Sequence, residues 1–475
     1  MGGLGAITKT GNGRLELAGD DTFTGPLSAS AGELFKTGSG SQSGTTVSGN
    51  AVLRVSHSGA FGAGGLTISA ANTSTGRLEL SGGVAVLAGK GVSINSRSSN
   101  TDAVSSLSGD NTFGGNVSLG TGGSLYGLSS AAGLLTLSGS VSSAATGNRN
   151  FTLRGAGDGR MTGTVADGSG IVGIIKSGSG TWTLAGTHSF TGAVAVQEGA
   201  LNVASPLPLQ AVTVSTGAAL SGVGALGGAV TIAGTHSPGD GVGTQAVTGT
   251  LTYQSTARIQ WEIAAQSLTA DKVQAAEVTV LPGALVQVTT NSPGSSVNFT
   301  DPFWRASRQW PVLSATTLGG SFSLGANPVD SSGRPSLLFG SFSLVQSPSG
   351  VNLVWTPAPP FQIWQYENFA GAWNDPLIAG PDRDPDGDGW TNNDEWITGS
   401  VPNNPTSAFR IAFAMNGISF TKIAGRLYRV ETATDLNGGW TTHTTLPSGS
   451  GPVTVPVLPG NGQRRFYRVA VAWAP

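Results

Sequence analysis

The chain has 475 residues, 24 Lys and Arg against 26 Asp and Glu, a net charge of −2, 74 glycines and no cysteine. Glycine runs at roughly twice its usual share of about 7%, yet 38% of residues are hydrophobic, which excludes a disordered Gly/Ser linker. The balanced charge offers no basic stripe for nucleic acid, the absence of cysteine excludes disulfides and thiolate metal sites, and no apolar run approaches the roughly 18 residues of a transmembrane helix.

The first residues, Met1-Gly2-Gly3-Leu4-Gly5, show no basic region followed by an apolar core. The expectation is either the C-terminal part of a longer chain or a reading frame lacking its export signal, with no signal peptide in this sequence. A repeat follows at once. Lys9, Gly11, Gly13, Leu15, Leu17, Gly19, Asp21, Phe23 and Gly25 align without gaps on Lys176, Gly178, Gly180, Trp182, Leu184, Gly186, His188, Phe190 and Gly192. A third copy keeps Leu107, Gly109, Asn111, Phe113 and Gly115, with weaker echoes at 76–82 and 135–139. Leu15 and Leu17 share one face and Glu16 takes the other, the period of a half-buried strand. Glycines punctuate the turns, and Phe23 returns inward. Strand and turn at about 20 to 25 residues per coil predict a right-handed parallel β-solenoid (a β-helix) over 1–260. About ten coils at about 4.8 Å spacing would make a rod near about 50 Å long.

This Gly-x-Gly-x-Leu-x-Leu-x-Gly unit, closed by Asp21, Asn111 or His188 and then Phe and Gly, resembles the autotransporter-associated β-strand repeat of bacterial surface passenger proteins. The run from Leu220 through Ile232 to Gly239 resembles the way such repeats finish. The resemblance implies a non-catalytic, exported or cell-surface β-helix of structural or adhesin-like role, although no translocator barrel follows in the sequence. Expected partners are surface glycans or other cell-surface proteins. The sequence leaves the oligomeric state open.

Beyond the repeat, 261–356 reads as a β-rich cap. Ten of the 11 tryptophans lie after residue 260, suited to closing a solenoid end. Pro357, Pro359 and Pro360 form a stiff linker opening a segment at 357–407. Phe361–Phe369 is the best helix candidate, with Phe361, Trp364 and Tyr366 or Phe369 able to share a face. Pro376 and Pro381 forbid a helix running into the next stretch. Asn393–Thr398 predicts a short helix stopped by Gly399.

That stretch carries the clearest chemistry. Asp384, Asp386 and Asp388 occupy positions 1, 3 and 5 of a D-x-[DN]-x-[DN]-G-x5-E loop, with Gly389 at the turn, Trp390 supplying a backbone carbonyl at 7, Asn392 at 9 and Glu395 at 12. Two carboxylates about 4 Å apart repel by about 1 to 4 kcal/mol near a surface. An oxygen-only set of this density predicts a hard divalent cation, Ca2+, rather than a solvated acidic turn. The segment resembles the single calcium loops of dockerin and thrombospondin type 3 units, and the ion is expected to lock a joint between rod and terminal module.

The end, 408–475, alternates at Phe409, Ile411 and Phe413, at Tyr428 and Val430, and at Tyr467, Val469, Val471 and Trp473. Turns are expected at Gly438-Gly439 and at Gly460-Asn461-Gly462. The pattern resembles a small β-sandwich of the fibronectin type III kind.

Alternative chemistry is weaker. His57, His188, His236 and His443 share no metal spacing, and His188 reads as a turn residue bonding its own backbone. A polysaccharide lyase or hydrolase would need grouped carboxylates. Asp20, Asp21 and Asp158 with Arg160 are the nearest set, but Asp21 is a repeat turn position and Asp158-Gly159 reads as a turn. Arg464, Arg465 and Arg468 could line a glycan-binding strand in the terminal module, against ordinary alternation on a solvated face. No catalytic residue is assigned.

Overall fold

Three ladders of parallel strands make up the first part of the protein. The computed structural model describes residues 2–69, 73–95, 97, 101–292, 295–414, 417–457 and 464–473. They divide into one compact unit of 1–303, 307–334 and 342–356, and another of 304–306, 335–341 and 357–475. In the first unit a sixteen-stranded sheet starts at Arg14–Leu17, an eleven-stranded sheet at Ala85–Val86 and an eight-stranded sheet at Ile7–Lys9. This is an all-β solenoid.

Successive coils stack in register because each places its apolar residues at the same heights. Leu34, Leu53, Leu78, Val104, Leu128 and Leu153 pair in turn along the largest sheet, and all six are buried. The step between paired residues along this sheet varies, from 18 residues between Val196 and Val214 to 40 between Val273 and Leu313. Differences in coil length are taken up in the turns. On the outer face of the same sheet, Arg54 bridges Glu33 at 3.3 Å and Glu79 at 2.6 Å, and Arg77 also reaches Glu79 at 2.7 Å.

The polar repeat positions staple neighbouring coils. Lys9 donates to the carbonyls of Thr10, Gly11 and Ala31, and Lys176 to those of Ser177, Gly178 and Glu198. Each ammonium thereby satisfies its own turn and the turn of the next coil. Asp21, Asn111 and His188 are all buried, but none serves merely as a cap on its own turn. Asp21 accepts from the buried Lys36 at 2.9 Å, Asn111 accepts from the Val84 amide at 2.7 Å, and His188 Nδ1 accepts from the Val165 amide at 3.3 Å. The expectation that His188 bonds its own backbone is corrected: the bond crosses to the preceding coil.

Asp158-Gly159 is also not a turn. Gly159 lies inside the strand Asp158–Met161 and pairs with Trp182 of the next coil. A Cβ on Gly159 would fall 2.2 Å from the Trp182 ring, so the glycine exists to let the indole lie on the backbone. Trp182 is wholly buried and donates to the Arg154 carbonyl at 3.0 Å.

Parallel pairing runs on past residue 260. Thr244–Tyr253 pairs with Lys272–Val280, which pairs with Arg308–Gly319; Gly350–Pro357 then pairs antiparallel with that last strand. Large rings fill this end. Trp261 and Trp310 meet edge to face at 6.1 Å, and Trp355 stacks on Phe299 at 5.4 Å and touches Phe342 at 4.8 Å. Nearby, His236 is buried between the Tyr253 hydroxyl and the Gln245 carboxamide oxygen, each at 2.7 Å. Because that oxygen only accepts, the ring carries its proton on Nε2, and burial holds its pKa down near about 4.

The second unit contains helix α1 (Pro360–Phe369), helix α2 (Asn392–Thr398) and two three-stranded antiparallel sheets. One sheet is Ala412–Ala414, Gly417–Lys422 and Gly451–Val455; the other is Thr441–Leu446, Arg426–Ala433 and Phe466–Trp473. Ile418, Phe420, Tyr428, Val430 and Val455 form a buried core, with Phe409, Tyr467, Val469 and Val471 packed on it. The expected alternation of Phe409, Ile411 and Phe413 is only half realised. Phe409 packs on Phe420 and Tyr428, whereas Ile411 and Phe413 are exposed. The chain turns at Gly438, whose amide donates to Asp435; the expected turn at Gly460-Asn461-Gly462 lies outside the described residues.

Candidate metal centre

The acidic loop is shaped by its own backbone. Asp384 accepts the amides of Gly387 at 2.8 Å and Gly389 at 2.9 Å, through different carboxylate oxygens. These bonds, that from Gly389 foremost, hold its carboxyl below the usual range. Asp386 accepts from the Asp388 amide and Asp388 from the Trp390 amide at 2.8 Å. Gly387 and Gly389 both take positive φ, at 73° and 92°, which lets consecutive carboxylates turn to one side. The loop closes where the Asn392 amide donates to the Arg383 carbonyl at 2.7 Å.

A capping box starts α2 at once. The Thr391 side chain accepts from the Asp394 amide, the Asp394 carboxylate accepts back from Thr391, and Gly399 ends the helix at φ 82°. Asp394 therefore works as a cap; Thr391-x-x-Asp394 is the sequence signal for that role.

α2 carries Asn392 and Glu395 inward, and both are fully buried. The Asn392 carboxamide nitrogen is committed to the carbonyls of Ile378 at 2.9 Å and Gly380 at 2.7 Å. Its oxygen has no donor. Among the described residues, neither carboxylate oxygen of Glu395 has a partner, and one oxygen each of Asp386 and Asp388 is likewise buried and unpaired. Asp384, Asp386 and Asp388 bring ligand oxygens within 4.8 Å of one another. Glu395 is near enough to feel them: its pKa is pushed up to about 7, first by burial and then by the charges of Asp386 and Asp388. The Ser400 hydroxyl opposes this slightly without meeting hydrogen-bond geometry.

Five acceptor oxygens without donors, on four side chains of one loop and its helix, are costly to bury without a cation, since each unsatisfied group costs about 1 to 3 kcal/mol and more when charged. The donor set fits a hard cation that takes oxygen ligands. Of the six expected ligand positions, the loop gathers the three aspartates, and Asn392 and Glu395 are presented from α2. Trp390 contributes its amide to Asp388 and leaves its carbonyl as the remaining expected ligand.

α2 is also tied to the terminal sheets. Arg426 donates to the carbonyls of Trp396 and Ile397, both at 2.6 Å, and lies 4.1 Å over the Trp473 ring. Trp396 stacks on Trp473 at 5.4 Å. The sequence carried no sign of this clamp, because Arg426 lies 29 and 30 residues from Ile397 and Trp396.

The other candidates go to structural contacts. Asp20 accepts from Ser39 and Asp158 from the Thr181 amide, each across one coil. Arg468 pairs with Glu431 at 2.7 Å, while Arg464 and Arg465 are exposed.

Among known families, the passenger-associated-transport-repeat model matches residues 7–49 and 174–203, the two segments holding the best-preserved copies of the repeat. That match supports the autotransporter-associated repeat and, with it, a secreted or surface location. No curated protein matches this chain.

Proposed function

We propose that this chain is a non-catalytic, exported or cell-surface protein whose right-handed β-solenoid serves as a structural, adhesin-like shaft. Its C-terminal unit, in this reading, is a small β-sandwich stabilised by one Ca2+ ion in a loop of the dockerin or thrombospondin type 3 kind. Asp384, Asp386, Asp388, Asn392, Glu395 and the Trp390 carbonyl hold the ion. The observation that carries this is the set of five buried, donorless oxygens on Asp386, Asp388, Asn392 and Glu395. The passenger repeat supports the surface location.

The ion has a mechanical consequence. It neutralises the charge around Glu395, fixes α2, and through the Arg426 bonds to Trp396 and Ile397 steadies the two terminal sheets. A single loop without a paired partner belongs in the extracellular-module affinity range, about 10^-4 to 10^-3 M. Calorimetric titration of the full chain should give one Ca2+ site in that range, with Asp388→Ala abolishing it and Asp382→Asn leaving it intact. Equal binding by wild type and Asp388→Ala would refute the assignment.

A further inference from the structure

A second cleft adjoins the acidic loop through α2. Trp364 of α1, Trp396 of α2 and Trp473 of the last strand line one cleft of about 350 Å3 in the second unit. All three indoles are only half-buried. By contrast, Trp182, Trp261, Trp310 and Trp355 are wholly enclosed in the solenoid. Three large rings left open to one cavity are an unfavourable use of apolar surface unless something covers them.

The rings are held rigidly. Trp473 stacks on Trp396 at 5.4 Å with the Arg426 guanidinium 4.1 Å from its ring centre, and Trp364 is fixed by Phe361 at 5.4 Å and Phe369 at 5.9 Å. Around them stand planar polar groups. Arg305 and Glu367 form a loose pair at 3.3 Å on the exposed rim, at 50% and 42% exposure, and are therefore cheap to redirect toward a ligand.

We propose that this cleft binds a pyranose-containing glycan. A sugar ring presents flat C–H faces that suit preset indoles and vicinal hydroxyls that suit a planar carboxylate or guanidinium. The volume falls in the usual ligand range of about 300 to 1,000 Å3 and admits a short oligosaccharide end rather than a folded partner. With Arg305 and Arg426 against Glu367, the lining carries one positive charge in excess, so a uronic acid binds at least as well as a neutral sugar.

Tryptophan fluorescence of the full chain in Ca2+ tests this, with cellobiose, maltose and digalacturonate as probes. At least one should bind saturably with a Kd near the millimolar range, about −4 kcal/mol. Weakening of that binding by added salt marks the acidic sugar, and its persistence marks a neutral one. Trp364→Ala should weaken binding at least tenfold. Glu367→Gln, at the exposed rim, should weaken it several-fold without moving the melting temperature, and Trp440→Ala, outside the cleft, should leave it unchanged. Absence of saturable binding by all three sugars overturns the proposal, as does binding undiminished in both Trp364→Ala and Glu367→Gln.

Discussion

Glu395 is the residue on which the metal reading turns. Without metal the native carboxyl keeps its proton up to about pH 7, whereas an ordinary Glu releases it near 4.5. Between those values the folded state binds more protons than the unfolded one. The metal-free second unit therefore loses stability as pH rises from about 4.5 to 7, by about 1 to 3 kcal/mol. Bound Ca2+ should reverse this by holding Glu395 ionised, and its affinity should drop as pH falls below about 7. Urea denaturation followed by near-ultraviolet circular dichroism, with chelator and with Ca2+ at about pH 5 and 8, reads both slopes. Glu395→Gln should flatten the metal-free slope; a slope unchanged by that substitution would show that another group carries it. The spacing of acidic and amide side chains from Asp384 to Glu395 was legible in the sequence. The pinned nitrogen of Asn392 was not, because its partners Ile378 and Gly380 have no motif and are reached only when the loop closes.

At the scale of the element, the repeat was readable because its alternation and glycines are local. Its inter-coil bonds were not. Asp21, Asn111 and His188 look like turn residues in one dimension, and only stacking brings Lys36, Val84 and Val165 against them. Gly159 shows the same limit: Asp-Gly reads as a turn until Trp182 of the next coil is laid across it. Gly159→Ala should force the Trp182 indole from its seat, at a cost of about 1 to 3 kcal/mol. Since coils couple chiefly to their neighbours, hydrogen exchange should rise in the strands Leu134–Leu137, Asp158–Met161 and Thr181–Leu184 and stay unchanged near Trp355. Unaltered exchange around Trp182 would mean that the glycine has no such role.

For the molecule as a whole, composition and period sufficed for an all-β solenoid, while its far end was harder to read. Repeat spelling fades after about residue 240, yet parallel pairing persists to Ser323–Leu324, because a coil needs only inward apolar residues and not the original glycines. The acidic loop falls in the same compact unit as the terminal sheets, joined to them by the Arg426 clamp. The account's central claim is that calcium stabilises this unit and not the solenoid. Differential scanning calorimetry of the full chain with Ca2+ and with chelator tests it directly. Two transitions are predicted, of which the one assigned to the second unit rises with Ca2+ by several degrees, from RT ln(1 + [L]/Kd) of about 2.7 kcal/mol at a hundredfold excess over Kd. The solenoid transition should not move. A second-unit transition indifferent to calcium, or a shift that survives Asp388→Ala, would contradict the account.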